Sequence, residues 1–215
     1  MKRGTKSILF GVHQFLWHPF TIWRAWRHVY KENPSWVHLL CIFCHDLGYW
    51  GKPDMDGPEG QTHPEGGARI ARRIAYWAFR LRGFPAHSAW NNAQVVHDIC
   101  LCHSTHYAQA KGLSVSSLYL PDKACVLFDP PWFYLLRARL SGELTEYVDN
   151  ANLKKESAWG KFNSPELWLN WYRSRIFLKV QQHFHQVELT RLKKGAAWGE
   201  PCECCICEWH KEHAK

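Results

Sequence analysis

The chain carries metal-binding side chains at five positions: His18, the pair His45-Asp46, His63, His103 and Asp122. Imidazole nitrogen and carboxylate oxygen suit zinc, manganese and iron, and ligands mounted on separate helix ends converge on one point without bending the backbone that carries them. An ion held in that way polarises a phosphoryl oxygen and lowers the pKa of a bound water, supplying a nucleophile at neutral pH. A His-Asp dipeptide alone carries little weight, because His97-Asp98 is a second one, embedded in an apolar helical stretch and read as a half-exposed helix face. His13, His28, His38 and His87 take the same bland reading as core or surface residues. What sets His45-Asp46 apart is its place at a helix end, just before a glycine.

The elements expected to position these residues are helices. One runs from about Phe20 to Lys31. Asn33-Pro34 then offers a cap and a first-turn proline to a second, whose Val37, Leu39, Leu40, Ile42 and Phe43 lead up to His45-Asp46. The stretch GYWGKPDMDGPEGQ, 48 to 61, is dense in Gly, Pro and Asp and reads as a loop. Thr62 and Glu65 have capping-box spacing and open a helix that closes at Gly83 before Pro85. A further helix spans about Ala86 to His103. A Ser- and Gly-rich loop then leads to Pro121-Asp122 and a helix broken at Pro130-Pro131. Ser164-Pro165-Glu166 starts a long helix reaching Leu192, expected to pack on the rest of the chain. With no internal repeat and no sustained alternation, the expected class is all-α. The expected division is a helical domain over 1–150, a helical extension over 151–194, and a flexible Cys-rich tail over 195–215.

In order and setting these residues resemble the HD superfamily of metal-dependent phosphohydrolases. His18 precedes Ile22 and Ala25 on a helix, similar to the family's first motif, and His45-Asp46-Leu47-Gly48 resembles its HDIG. Thr62-His63-Pro64-Glu65-Gly66-Gly67-Ala68 is similar to the HPxxGA segment of the two-metal branches, His103 to their fourth-motif His, and Asp122-Lys123 to the closing Asp. The resemblance covers about residues 13 to 140. It implies an HD-type bundle in which His18, His45, Asp46 and Asp122 hold one divalent ion, Mn, Fe or Zn. Asp46 would bridge to a second ion held with His63 and His103, and would be catalytic as well as ligating. The chain departs from the family in having Tyr49 where many members carry Lys, which passes the phosphate contact to Lys52, Arg69 or Lys123. It also lacks the GYP signature, since Ser104 follows His103. His106, one helical turn beyond His103, is a candidate proton donor to the leaving group, with a solvated loop residue as the alternative.

Bulk properties fit this expectation. At 215 residues the chain suits one well-cored domain with an appendage, and 46% hydrophobic with 21% charged residues excludes a disordered or membrane class. No run approaches a membrane span, and the opening MKRGTKSILFGVHQFLWHPF lacks a cleavage signal, so a cytoplasmic protein with reduced thiols and no membrane partner is expected. The charge of +8 favours a phosphorylated small molecule, above all a nucleotide, and the scattered basic residues do not favour nucleic acid. Thirteen Trp point to an aromatic-rich core, with Trp50 and Tyr107 as ring-stacking candidates beside the loops. Cys41-Ile42-Phe43-Cys44-His45 matches a haem attachment pattern, set aside because that attachment needs export. Cys41, Cys44, Cys100 and Cys102 read as buried thiols or a structural zinc set. Cys202, Cys204, Cys205 and Cys207 with His210 and His213 remain open between metal binding, modification and an unstructured redox-sensitive end. The expected activity is hydrolysis of a phosphoester or phosphoanhydride. A mixed-valent diiron oxygenase uses the same six ligand types, and a non-catalytic HD module is a third alternative.

Overall fold

The computed structural model describes residues 1–154 and 160–193. Among these residues the chain is all-helical, without a strand: α1 (Arg3–Phe10), α2 (Trp17–Tyr30), α3 (Trp36–Cys44), α4 (His63–Leu81), α5 (Ala86–Leu101), α6 (Thr105–Ala110), α7 (Tyr119–Ala124), α8 (Pro131–Ser141), α9 (Glu143–Leu153) and α10 (Pro165–Lys193). Short 3-10 turns occupy His45–Tyr49, Gly60–Thr62 and Cys125–Phe128. No helix is long and apolar enough to cross a membrane.

Several helix ends are made by other residues than the local pattern suggests. α2 begins before Phe20, because the Gln14 side chain accepts hydrogen bonds from the N–H groups of Leu16 and Trp17 at 3.0 and 2.6 Å, which brings His18 into the first turn. Ser35 caps α3, accepting from the His38 N–H, in place of Asn33. The capping box at Thr62 does not form. Its hydroxyl donates instead to the Glu59 carbonyl at 2.7 Å and accepts from Lys52 Nζ at 2.6 Å. α5 stops at Leu101, so His103 lies just past its end, and α6 interrupts the stretch expected as a loop from 104 to 121. Pro131 occupies the first turn of α8, so the proline pair starts a helix as well as ending one. α9 runs through the boundary expected at 150, and the Cys-rich tail lies outside the described residues.

Packing is tightest where side chains are smallest. α4 and α5 form a hairpin turned at Gly83, whose φ of 84° suits glycine, and they meet through Ala68, Ala71 and Ala75 against Ala89, Ala93 and Val96. Large rings have no room on such a seam. Tryptophan fills the expected aromatic-rich core only in part: of the ten described tryptophans Trp26 and Trp168 are buried and Trp36 and Trp171 pack half-buried against a core that includes Phe79 and Tyr134, while Trp50, Trp77, Trp90 and Trp132 are exposed. α10 covers α7, α8 and α9 with Trp168, Leu169, Ile176 and Val180, as expected of a helix packed on the domain. Arg173 fastens it by donating to the carbonyls of Val126 and Asp129 at 2.9 and 2.8 Å.

The N-terminal segment, read only as a poor signal sequence, is a structural element. α1 packs on α8 and on the 45–49 turn, and its Ser7 donates to Glu143 at 2.7 Å. Glu143 is fully buried and also accepts from the Val12 N–H at 2.9 Å, Tyr147 OH at 3.0 Å and Ser141 Oγ. Every lone pair of this buried carboxylate has a donor within reach, which is what makes its burial tolerable.

Candidate metal centre

Six residues from five segments meet in the middle of the bundle. His18 comes from the first turn of α2, His45 and Asp46 from the turn after α3, His63 from the first residue of α4, His103 from just beyond α5, and Asp122 from α7. All six are buried. Glycines make the approach of α4 possible: a Cβ on Gly67 would collide with the His45 carbonyl, and one on Gly48 with the His63 carbonyl. The glycines of HDLG and HPEGGA therefore serve close backbone packing, and through it they set His45, Asp46 and His63 side by side.

The ligand atoms form two groups that share one carboxylate. Asp46 Oδ2 lies 3.0 Å from His18 Nε2 and 3.1 Å from His45 Nε2, and both imidazoles are 3.4 Å from Asp122 Oδ1. The other oxygen, Asp46 Oδ1, lies 3.4 Å from His63 Nε2 and 3.9 Å from His103 Nε2, which are 3.3 Å from each other. In each group the donor atoms stand close enough together to hold one cation.

The orientation of the rings fits a metal. His45 Nδ1 donates to the Ile42 carbonyl at 3.0 Å, His63 Nδ1 to that of Gly60 at 2.8 Å, and His103 Nδ1 to that of Cys100. Each anchor is the carbonyl three residues back, and it fixes the tautomer that leaves a lone pair on Nε2. Tyr49 stacks flat on His63 with ring centres 3.8 Å apart. His18 Nδ1 faces Cys125 Sγ at 3.6 Å. Three atoms at the centre, His18 Nε2, His45 Nε2 and Asp46 Oδ2, are buried with no hydrogen-bond partner among the described residues. Acceptors facing acceptors in a dry interior are what a cation reconciles, and His2Asp2 and His2Asp sets are the donor chemistry of zinc, manganese and iron.

Electrostatics separate the two groups. Burial works against charge on His45, yet Asp46 and Asp122 raise its pKa to about 9, and His18 is likewise raised despite burial. Burial would raise Asp46 and Asp122. The positive field of His45 and His13 acts on Asp46 and that of Lys123 on Asp122, and together with the adjoining imidazoles it holds both carboxyls well below the usual range. Burial, with the charge of His45, pushes His103 down to about 3, and burial lowers His63 as well.

A residue given no role by its sequence joins the site. His13 Nε2 stands 3.9 Å from Asp46 Oδ2 while its Nδ1 is 3.0 Å from Glu143 Oε1, a carboxylate-backed imidazole at the edge of the first group. No spacing rule marks this pair, whose members lie 130 residues apart. The same face opens into a cavity of about 270 Å³ lined by His13, His18, Asp122 and Lys123 and by Tyr134, Tyr147, Trp168 and Tyr172. Tyr147, Trp168 and Tyr172 stack along one another at 5.7 and 5.6 Å.

The expected substrate contacts divide. Lys123 reaches the site, its Nζ 3.0 Å from Asp122 Oδ2, and the pair raises its pKa. Lys52 is turned to Thr62, and Arg69 is exposed, donating to the Glu65 carbonyl at 3.2 Å. His106 is exposed on α6 with its ring against Tyr107, which donates to Glu65 at 2.7 Å; neither lines the cavity, nor does the exposed Trp50. His97 and Asp98 bond each other on α5 at 2.9 Å, away from the six. Cys41, Cys44, Cys100 and Cys102 are free, buried thiols that form no metal-holding group among the described residues, and the burial of Cys41 and Cys44 leaves no surface for a haem. No protein-family model, no curated protein and no solved structure matches this chain.

Proposed function

We propose that this chain is an HD-type metal-dependent phosphohydrolase that holds two divalent ions and cleaves a phosphoester or phosphoanhydride bond of a phosphorylated small molecule, a nucleotide foremost. One observation carries the proposal: Asp46 turns one oxygen to each of two buried donor groups, the arrangement of a bridging carboxylate. His18, His45, Asp46 and Asp122 would hold one ion, and Asp46, His63 and His103 the other. Bound there, the ions supply a nucleophilic water at neutral pH and neutralise charge on the phosphoryl oxygens.

The rest of the chemistry falls to this chain's own residues. Lys123, at the cavity edge of the first group, neutralises a phosphoryl oxygen that faces away from the ions. His13, in the same cavity and fixed by Glu143, holds a proton at Nε2 for the leaving oxygen, the role first sought in His106. The stacked rings of α9 and α10 receive the organic part of the substrate and exclude water from it.

One observation favours a diiron oxygenase instead: two of the three cations expected to hold phosphate, Lys52 and Arg69, are engaged elsewhere. Both readings are tested by purifying the protein without chelator, counting Mn, Fe and Zn, and screening a nucleotide panel for released phosphate beside Asp46→Ala. Two ions per chain and phosphate release lost in the variant support hydrolysis. Metal content unchanged in Asp46→Ala sinks the site. Oxygen consumption by the iron form, without phosphate release, replaces hydrolysis with oxygenation.

A further inference from the structure

Helix α4 is amphipathic in an unusual sense. The face it buries is made mostly of small residues, Ala68, Ala71 and Ala75, with Phe79 near its end, whereas Ile70, Ile74, Trp77 and Leu81 point outward. Ile70, Ile74, Trp77 and Leu81 recur at i, i+4, i+7 and i+11, a spacing that places them on a single stripe. All four are exposed, Trp77 at 63% and Leu81 at 88%. Isolated apolar side chains on a surface need no explanation, but a stripe that runs the length of a helix does.

The setting of the stripe is cationic. Arg69, Arg73 and Arg80 flank it on the exposed side, while Arg72 is half-buried toward α5 and Arg82 follows the last residue of the helix. Among the described residues none of these five has a carboxylate within ion-pair distance. Their partners are neutral: Arg69 and Arg80 donate to carbonyls, Arg72 to Gln94 at 3.2 Å and over the Trp90 ring, and Arg82 sits over Trp36. The one acid of α4, Glu65, accepts from Tyr107, and Asp98 of α5 is engaged by Gln94 and His97.

We infer that this face docks on an anionic lipid surface. Arginines beside a stripe of Trp, Ile and Leu match both halves of such a surface, the charged headgroups and the apolar layer beneath them. A second copy of the chain fits poorly, because Arg69, Arg73 and Arg80 would meet their own kind across a two-fold interface. A nucleic acid answers the arginines but offers nothing to Ile70, Ile74 and Leu81. No spanning helix is needed for attachment of this kind, so the sequence-based expectation of no membrane partner, which rested on the lack of a span, does not bear on it. The exposed tryptophan supplies the ring that favours the headgroup level.

The test is flotation of the full, metal-loaded chain with vesicles of phosphatidylcholine alone and of phosphatidylcholine with about one third phosphatidylglycerol. The chain is expected to float with the anionic vesicles and not the neutral ones, and to be released by salt. Arg73→Gln with Arg80→Gln weakens partitioning on the order of tenfold or more, and Trp77→Ser weakens it several-fold. These positions are exposed, so helical circular dichroism and metal content stay unchanged. Trp132→Ser, at an equally exposed position on α8, leaves partitioning intact. The inference is overturned if the chain ignores anionic vesicles, if the arginine variant floats as well as the parent, or if Trp132→Ser abolishes flotation. It is also overturned if Trp77→Ser only dissolves a dimer in sedimentation equilibrium, or if a nucleic-acid duplex binds the same face with no loss on Trp77→Ser.

Discussion

The two donor groups share Asp46 but are built differently. The first sets two carboxylates against two imidazoles, and its field raises His45 to about 9. The second sets two imidazoles against a single carboxylate oxygen, and burial with like charge pushes His103 to about 3. One group is thus electrostatically prepared for a cation, with protons as its competitors, while the other is a pair of neutral imidazoles that gains a charge partner only through Asp46. Cation affinity within one site can differ because the same ligand atoms stand in different fields.

The largest effect that would break this contrast is Asp46→Ala. Removing both oxygens is expected to empty both groups and, on the proposed function, to reduce phosphate release to background, read with metal per chain by mass spectrometry; retention of either ion would show that Asp46 does not bridge. Next is His103→Ala, which should lose one ion of two and leave the first group loaded. Equal loss from both groups would mean they fill only as a unit.

His13→Ala keeps all six ligands and should retain both ions while kcat falls by about 10² to 10⁴. Glu143→Gln, which preserves shape but removes the charge behind His13, is expected to cost roughly 10- to 100-fold, in line with the loss of an outer partner. An unchanged kcat in both variants would leave His13 a packing residue.

The smallest effect is calorimetric. Asp46 and Asp122 raise the pKa of His45 to about 9, so loading the first group at neutral pH is expected to release protons, and its affinity to weaken as pH falls. His63 and His103, held low, are already neutral there and release none. Titration in buffers of different ionisation heat separates the two steps. Identical proton release from both would erase the distinction.

Much of the site was legible because its signals are local. His45-Asp46 before Gly48, and His63 heading a run of small residues, are written in a few adjacent positions, and the six candidate residues lie together in two clusters that could hold a metal. The helix caps were less legible. Gln14 and Ser35 accept from the first backbone N–H groups of α2 and α3, whereas Thr62 turns its hydroxyl to the Glu59 carbonyl and Lys52, choices the local pattern does not weigh, so His18 entered α2 earlier than the apolar periodicity suggested. Tryptophan content was misleading for a related reason: hydrophobicity says that a side chain favours burial, but the alanine seam between α4 and α5 decides which sizes fit.

What the sequence determined by itself was the helical class and the candidate ligand side chains, since periodicity and residue chemistry act over one or two turns. Only the tertiary structure decided that Asp46 divides its oxygens between two groups, that Lys123 faces the cavity while Lys52 and Arg69 do not, and that His13 stands beside Asp46 with Glu143 behind it. Those outcomes depend on side chains brought together across long stretches of chain, where the direction of a ring or a carboxylate is set by packing against elements distant in sequence.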